Sequence, residues 1–190
     1  MSDNEYHDCV TPVGRLSFPA LFEARAVNPG DTPKFSLTLL LDEEAQGTDE
    51  FKAMKDAVRA VAREKWGDDI PKKFKLPFLT VDDLNKVPDG YEDEHVIIRM
   101  NSVNQPGVVD EKVLPVVDPK KIYSGCYVRV ACHPYAWEHR TGGKGISFGL
   151  DHVQFVADGE PFTKAKKPTD VFGAVSKAKT EDGGDDDFFS

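Results

Sequence analysis

The sequence predicts a mainly β protein with one clear helix. Several short runs alternate apolar and polar side chains with the period of a strand, one stretch after Thr48 has helical spacing, and a glycine-rich turn joins two β-type runs. The chain has 190 residues, of which 39% are hydrophobic. This length is enough for one core of ordinary size and too short for two full domains.

The first β-type runs lie before residue 42. Residues 11–27 mix strand-forming side chains with Pro12, Gly14 and Pro19, and they predict one or two short strands around a bend. Residues 34–41 place Phe35, Leu37, Leu39 and Leu41 on one side and polar side chains on the other. This alternation predicts a half-buried strand.

The helix is predicted between Thr48 and Gly67. Thr48 is a suitable N-cap, two acidic residues follow it in the first turn, and Gly67 ends the apolar periodicity. The apolar stripe should face a core. The opposite side carries Lys52, Lys55, Arg59 and Arg63, which we interpret as a solvated surface without a binding role.

A long connection without periodicity occupies residues 67–93. Strand character returns in residues 94–103, where Val96, Ile98 and Met100 alternate with Ile97, Arg99 and Asn101. A further short apolar segment occupies residues 113–117 and ends at Asp118-Pro119.

The segment from Cys126 to Trp137 separates its side chains onto two faces. One face carries small apolar residues that should pack inward, namely Cys126, Val128, Val130 and Cys132. The other face carries Tyr127, Arg129, His133, Tyr135 and Trp137. Aromatic rings and cations on one outward face suit the stacking of unpaired bases, but they also suit a second apolar layer. Periodicity alone gives both interpretations equal weight. The glycine-rich turn at 141–145 then predicts a hairpin whose tip carries Arg140 and Lys144.

The charge is concentrated in the two ends of the chain. The formal net charge is −9, but residues 1–8 and 181–190 contain only acidic charges, which leaves −1 for residues 9–180. Residues 119–180 have a net charge of +5. We therefore expect a flexible N-terminus at 1–9, one folded domain at 10–157 and a flexible tail at 158–190. No secretion signal or membrane segment is evident, so a cytoplasmic location is expected.

Sequence signatures of catalysis are missing. The chain contains no phosphate-binding loop, nucleophile elbow, zinc-protease motif or Cys-x-x-Cys pair. Cys126, Cys132, His133 and His139 could supply zinc ligands, but neighbouring Cys132 and His133 should point to opposite sides of a strand. We expect no metal, no cofactor and no enzymatic activity.

Several segments of the chain are long and compositionally unusual, namely GRLSFPALFEARAVNPGDTPKFSLTLLL, EKWG, LPFLTVDD, PGVVD, YSGCYVRVACHPYAW and GGKGISFGLDHVQFVADGEPF. In this order over residues 10–163, and again at the acidic, aromatic C-terminus, the chain resembles a family of bacteriophage single-stranded DNA-binding proteins. This family was formerly catalogued as a domain of unknown function. The resemblance implies an oligonucleotide/oligosaccharide-binding (OB) fold, a five-stranded barrel with long loops. It also implies that the protein coats single-stranded DNA during phage replication or recombination in the infected host.

The resemblance favours base stacking over a second apolar layer, because OB barrels bind ligands on an outer face. The expected stacking residues are Tyr127, Tyr135 and Trp137. The expected phosphate contacts are Arg129, Arg99, Lys34, Arg15, Arg25 and Lys144. Phe18, Phe22 and Tyr123 are weaker candidates, since each could serve packing instead.

The C-terminal residues suggest a second function. Asp185, Asp186 and Asp187 can mimic phosphates, and Phe188 and Phe189 can mimic bases. We expect this tail to compete with DNA for the binding groove and to recruit replication or recombination proteins once it is displaced. The alternative is a non-catalytic phage interaction module that targets a host enzyme through the aromatic face.

Overall fold

The computed structural model describes residues 7–163 and 168–174 and shows a mainly β fold with one long helix. The strands of this part of the chain are β1 Cys9–Val10, β2 Gly14–Arg25, β3 Lys34–Leu41, β4 Val96–Ser102, β5 Gly107–Val109, β6 Tyr127–His139 and β7 Gly143–Ala157. The helices are α1 Glu43–Gln46, α2 Asp49–Trp66 and α3 Pro168–Val171. The predicted mainly β class with one long helix is confirmed. The described residues form seven strands, however, and not the five that the resemblance implies, because the short strands β1 and β5 add to the five long ones.

The strands form one sheet in the order β1-β6-β2-β3-β4-β7-β5. β2, β3 and β4 are antiparallel neighbours, β4 runs parallel to β7, and β7 forms a long antiparallel hairpin with β6. β6 also pairs with β2 at Gly14 and Arg15, so the hydrogen-bonded pairings return to the strand from which they start. The short strands β1 and β5 extend the sheet at β6 and β7.

Helix α2 has the boundaries that its capping residues predict. The Thr48 hydroxyl accepts a hydrogen bond from the Phe51 N–H at 3.3 Å, and Gly67 ends the helix at a φ of 59°. Its buried side chains, Phe51, Met54, Val58 and Ala62, join the main core beneath the sheet. The helix therefore covers the core with its apolar stripe, as its spacing predicts.

The connection after α2 forms part of the wall of the fold. Lys75 forms backbone hydrogen bonds with Lys144 and Ile146 on β7, and Leu79 forms them with Ile97 on β4. Between them, the Phe78 ring packs against Phe51 and Phe148. Residues 75–79 thus lie between β4 and β7 and add an aromatic side chain to the core, which the weak periodicity of this segment does not predict.

The same connection covers part of the outer side of the sheet. Leu40 and Ile97 are fully buried, and together with Val81 they form a second, smaller core outside the main one. Tyr91 and Phe162 pack at its edge. Only the remaining part of the outer face of β3 and β4 is available for a ligand.

Candidate nucleic-acid interface

β6 separates its side chains as the sequence predicts. Cys126, Val128, Val130 and Cys132 are completely buried. The three cysteines, including Cys9, are free thiols. Burial, followed by the charge of Asp8, raises the pKa of Cys9 to about 11, and burial also raises the pKa of Cys132. These thiols are therefore protonated packing residues.

The outward side chains of β6 fall into two groups. Tyr127 and Arg129 border a surface that includes Asp42, Glu44 and Glu50. The Arg129 guanidinium donates from Nε to the Gln154 side-chain oxygen at 2.7 Å. These acidic neighbours make the surface beside Tyr127 and Arg129 unfavourable for a phosphate.

Arg15 holds the segment that follows β7. Its guanidinium donates to the backbone oxygens of Gly125 and Glu160, and it lies 4.3 Å from the centre of the Phe162 ring and 5.5 Å from that of Tyr127. The Tyr123 hydroxyl donates to Asp158 at 2.8 Å. These contacts attach residues 158–162 to the domain.

A groove of about 490 Å³ brings four of the sequence-predicted residues together. Phe18, Arg25, Lys34 and Arg99 line it, although they come from β2, β3 and β4. Asp31 also lines the groove, and its carboxylate accepts hydrogen bonds from the backbone and side chain of Asn28. The lining thus includes three cations and one acid that is engaged in its own loop.

Phe18 projects into this groove because β2 is irregular there. The β2–β3 register shifts between Ser17 and Ala20, and Phe18 has a φ of 46°, which is uncommon for a residue with a side chain. The Phe18 N–H donates to the Ser124 hydroxyl at 3.2 Å. The Phe18 side chain is 62% exposed, whereas Phe22 packs against the main core.

The groove has a polar floor and a tyrosine at its edge. Ser36, Thr38 and Asn101 line it. The Tyr91 hydroxyl hydrogen-bonds to the side chains of Ser17 and Thr38, and burial raises the pKa of this phenol. No sequence pattern marks Tyr91, because this residue lies in a connection without periodicity.

At the other end of β6, three rings form a second feature, which we call the ring cluster: His133, Tyr135 and Trp137. Tyr135 is 38% exposed. Trp137 is partly buried, its indole N–H donates to the Ser147 hydroxyl at 3.0 Å, and the Lys75 ammonium lies 5.9 Å from its ring centre. The rings remain accessible on the outer side of the sheet.

Lys144 lies beside the ring cluster near the tip of the β6–β7 hairpin. Its ammonium lies 3.2 Å from Glu138, which also accepts a hydrogen bond from the Trp66 indole at 2.6 Å. The hydrogen bond from Trp66, followed by that from Lys144, lowers the pKa of the Glu138 carboxyl. These contacts join the hairpin to the end of α2.

The register of the strands joins the groove to the ring cluster. Ser36 on β3 pairs with Asn101 on β4, Asn101 pairs with Gly149 on β7, and Gly149 pairs with His133 on β6. One row of residues therefore runs across four strands from the floor of the groove to the first ring. The groove and the ring cluster belong to the same outer face.

Three further expectations concern the C-terminal residues, metal binding and membrane-spanning helices. Asp185, Asp186, Asp187, Phe188 and Phe189 lie outside the described residues. Within residues 7–163 and 168–174, no three His, Cys, Asp or Glu side chains group as metal ligands would. In the same ranges, no helix is both long enough and apolar enough to cross a bilayer.

Solved structures of phage single-stranded DNA-binding proteins share this fold. The bacteriophage Enc34 protein in complex with ssDNA matches with a TM-score of 0.69 at 23% identity, over 83% of this chain and 90% of that chain. A C-terminal truncation of the Enc34 protein gives 0.66 at 22% identity, over 82% and 88%. The gp2.5 protein of bacteriophage T7 gives 0.61 at 13% identity, over 79% and 91%.

Sequence comparison assigns the family. The model of the Enterobacter phage Enc34 ssDNA-binding protein family matches residues 7–188. The chain belongs to this family. It is also 32% identical, over 157 residues, to a putative protein p50 of Acyrthosiphon pisum secondary endosymbiont phage 1, over 78% of this chain and 83% of that protein. The resemblance noted in the sequence is confirmed.

Proposed function

We propose that the protein binds single-stranded DNA with little sequence preference, in the groove and across the ring cluster. The observation that carries this proposal is the groove itself, in which Arg25, Lys34, Arg99 and the exposed Phe18 meet. Family membership and the fold shared with the Enc34 protein solved with ssDNA support it. The role we infer is coating of single strands during phage replication or recombination, without catalysis.

The ring of strand pairings supports an OB-type barrel. In such barrels an outer sheet face and the adjoining loops bind oligonucleotides. Here the groove lies on β3 and β4, next to the loop between β2 and β3. The polar floor and the neighbouring cations suit a charged backbone better than an apolar ligand.

The two parts of the face suit the two parts of a nucleotide. Guanidinium and ammonium groups neutralise phosphates, and exposed rings stack on bases, which all present a π surface. We assign phosphate contacts to Arg25, Lys34 and Arg99, and stacking to Phe18, Tyr135 and Trp137. Lys144, Tyr127 and Arg129 remain candidates for peripheral contacts. The contacts of Arg15, Phe22 and Tyr123 favour a supporting role.

The proposal is tested by titrating fluorescently labelled oligo(dT) of several lengths with the full-length protein at two salt concentrations. Binding should be tighter to single strands than to a duplex of the same length, and log affinity should fall linearly with log salt. Equal affinity for single strand and duplex would contradict the proposal.

Arg99→Ala should reduce the salt dependence of binding. Losing one phosphate contact should lower the magnitude of the log–log slope by about 0.7–1. The matched control is Arg59→Ala, because Arg59 lies on the exposed face of α2 and pairs with Asp56 at 2.8 Å. An Arg99→Ala slope equal to that of Arg59→Ala would remove Arg99 from the interface.

We also propose that the acidic C-terminus competes with DNA for the groove. Residues 9–180 have a net charge of −1, whereas residues 181–190 carry only acidic charges. Phe162 packs near Tyr91, with ring centres 6.4 Å apart, and Tyr91 bonds to Thr38 in the groove. The 23 residues from there to Asp185 span at most roughly 80 Å, enough to return to the groove. The displaced tail would then be available to replication or recombination proteins.

Removing residues 181–190 should tighten binding to oligo(dT), and the gain should be largest at low salt because charges are least screened there. A control variant with Asp185, Asp186 and Asp187 all replaced by Asn keeps the length of the chain and should reproduce most of the gain. Affinity that is unchanged by both variants at every salt concentration would refute competition.

A further inference from the structure

β7 presents an unusual row of small residues beneath the ring cluster. Its outward positions Gly145, Ser147 and Gly149 pair directly with Trp137, Tyr135 and His133 of β6. A Cβ at Gly145 would lie 2.4 Å from the Trp137 ring, and a Cβ at Gly149 would lie 2.4 Å from the His133 ring. These distances are far below van der Waals contact. Both rings therefore occupy the space that a side chain on β7 would fill.

His133 is held in this position by a carboxylate. Its Nδ1 lies 2.9 Å and 3.0 Å from the two oxygens of Asp151. Asp151 can reach the ring because the β6–β7 register shifts at this point: Cys132 pairs with Leu150 and Ala131 with His152, which leaves Asp151 as the extra residue. Bulges of this kind redirect a side chain. The His133 side chain stays 29% exposed.

The position of His133 connects the two parts of the proposed interface. His133 and Asn101 both pair with Gly149, one from each side of β7, and Asn101 lines the groove. On β6, the centre of the His133 ring lies 6.4 Å from that of Tyr135. A strand of DNA that follows this row of residues from the groove to β6 would pass over the His133 ring before it reaches Tyr135.

We propose that His133, seated on Gly149 and oriented by Asp151, is a base-stacking contact between the groove and the other two rings. This inference rests on the proposed function and adds a contact to it. Asp151 acts as a positioning residue. The absence of a side chain at Gly149 allows the ring to lie against the sheet, where 29% of the side chain is exposed.

The experiment compares oligo(dT) binding by the full-length wild-type protein, His133→Ala and His133→Phe. Removing the ring should weaken binding about five- to tenfold, at the lower end of the effect of one stacked base. Phenylalanine cannot bond to Asp151 but restores a flat ring, so it should recover most of the affinity. The control is His152→Ala, because His152 borders a different surface with Val10 and Ala131.

A double-mutant cycle tests the contact between the His133 ring and Gly149. Gly149→Ala should displace the ring and weaken binding to a similar extent as His133→Ala. The double variant should lose no more than either single variant, because both remove the same contact. Thermal unfolding of each variant separates loss of binding from loss of fold.

The outcomes distinguish this contact from the proposed function. If wild type binds oligo(dT) and the folded His133→Ala variant binds equally well, the His133 contact is refuted and the interface stands. If His133→Phe is as weak as His133→Ala, stacking by this ring is refuted. If wild type does not bind single strands, the proposed function and this contact fail together.

Discussion

Trp137→Ala should weaken binding of oligo(dT) about 5- to 150-fold, equivalent to about 1–3 kcal/mol for one lost stack. Trp137 has the largest ring of the cluster, and its orientation is set by the hydrogen bond to Ser147 and by its seat on Gly145. The Lys75 ammonium lies over the ring, 5.9 Å from its centre. Trp137→Phe should keep much of the affinity, because it retains a flat ring.

Tryptophan fluorescence tests whether Trp137 contacts DNA. The chain has two tryptophans, and the indole of Trp66 packs against Phe74 and bonds to Glu138. In a Trp66→Phe variant the remaining emission comes from Trp137, and single-stranded DNA should quench it. In Trp137→Phe the quenching should be largely lost. Equal quenching in both variants, or unchanged affinity of Trp137→Ala, would exclude Trp137 from the interface.

Phe148→Ala should lower the free energy of unfolding by about 3–5 kcal/mol. Phe148 is completely buried in β7 and pairs with Met100 of β4 and Pro134 of β6. Its ring also packs against Phe78 from the inserted connection, with ring centres 5.8 Å apart. The cavity left by the missing Phe148 ring would therefore remove packing contacts of β4, β6, β7 and the connection after α2.

Urea unfolding followed by circular dichroism measures this loss as a lower midpoint with an unchanged slope. Phe172→Ala provides the control, because this phenylalanine is 75% exposed. The control should change stability by less than about 0.5 kcal/mol. A Phe148→Ala variant as stable as the control would show that the core is packed differently.

The elements that the sequence predicts well are those with a local signal. Helix α2 carries its own cap, stripe and terminating glycine, and β6 alternates small apolar side chains with large ones. The hairpin between β6 and β7 follows from the glycine-rich turn. In each case the information lies within a few neighbouring residues.

The role of the connection after α2 has no such signal. Phe78 enters the main core, and Leu79 bonds to β4, only because β4 and β7 leave room between them. Tyr91 reaches the edge of the groove through Ser17 and Thr38, which are distant in the chain. These contacts depend on the arrangement of strands and not on any period in the segment.

The candidate site shows the same contrast. Tyr135 and Trp137 are accessible on the outward face that alternation predicts, but Tyr127 and Arg129 lie on the same strand near acidic residues. Strand periodicity orders side chains along β6 and carries no information about what packs beside each half of it. Phe18 projects into the groove because of a bulge that Pro19 alone does not specify.

The sequence by itself determined the fold class, the long helix, the inward face of β6 and, through family resemblance, the class of ligand. Only the tertiary structure decided which cations share a groove and which rings continue it. Arg25, Lys34 and Arg99 come from three strands. The parallel pairing of Gly149 on β7 with Asn101 on β4 places His133 in the same row as the floor of the groove. Local sequence patterns report the period of one strand, whereas a binding face depends on the register between strands.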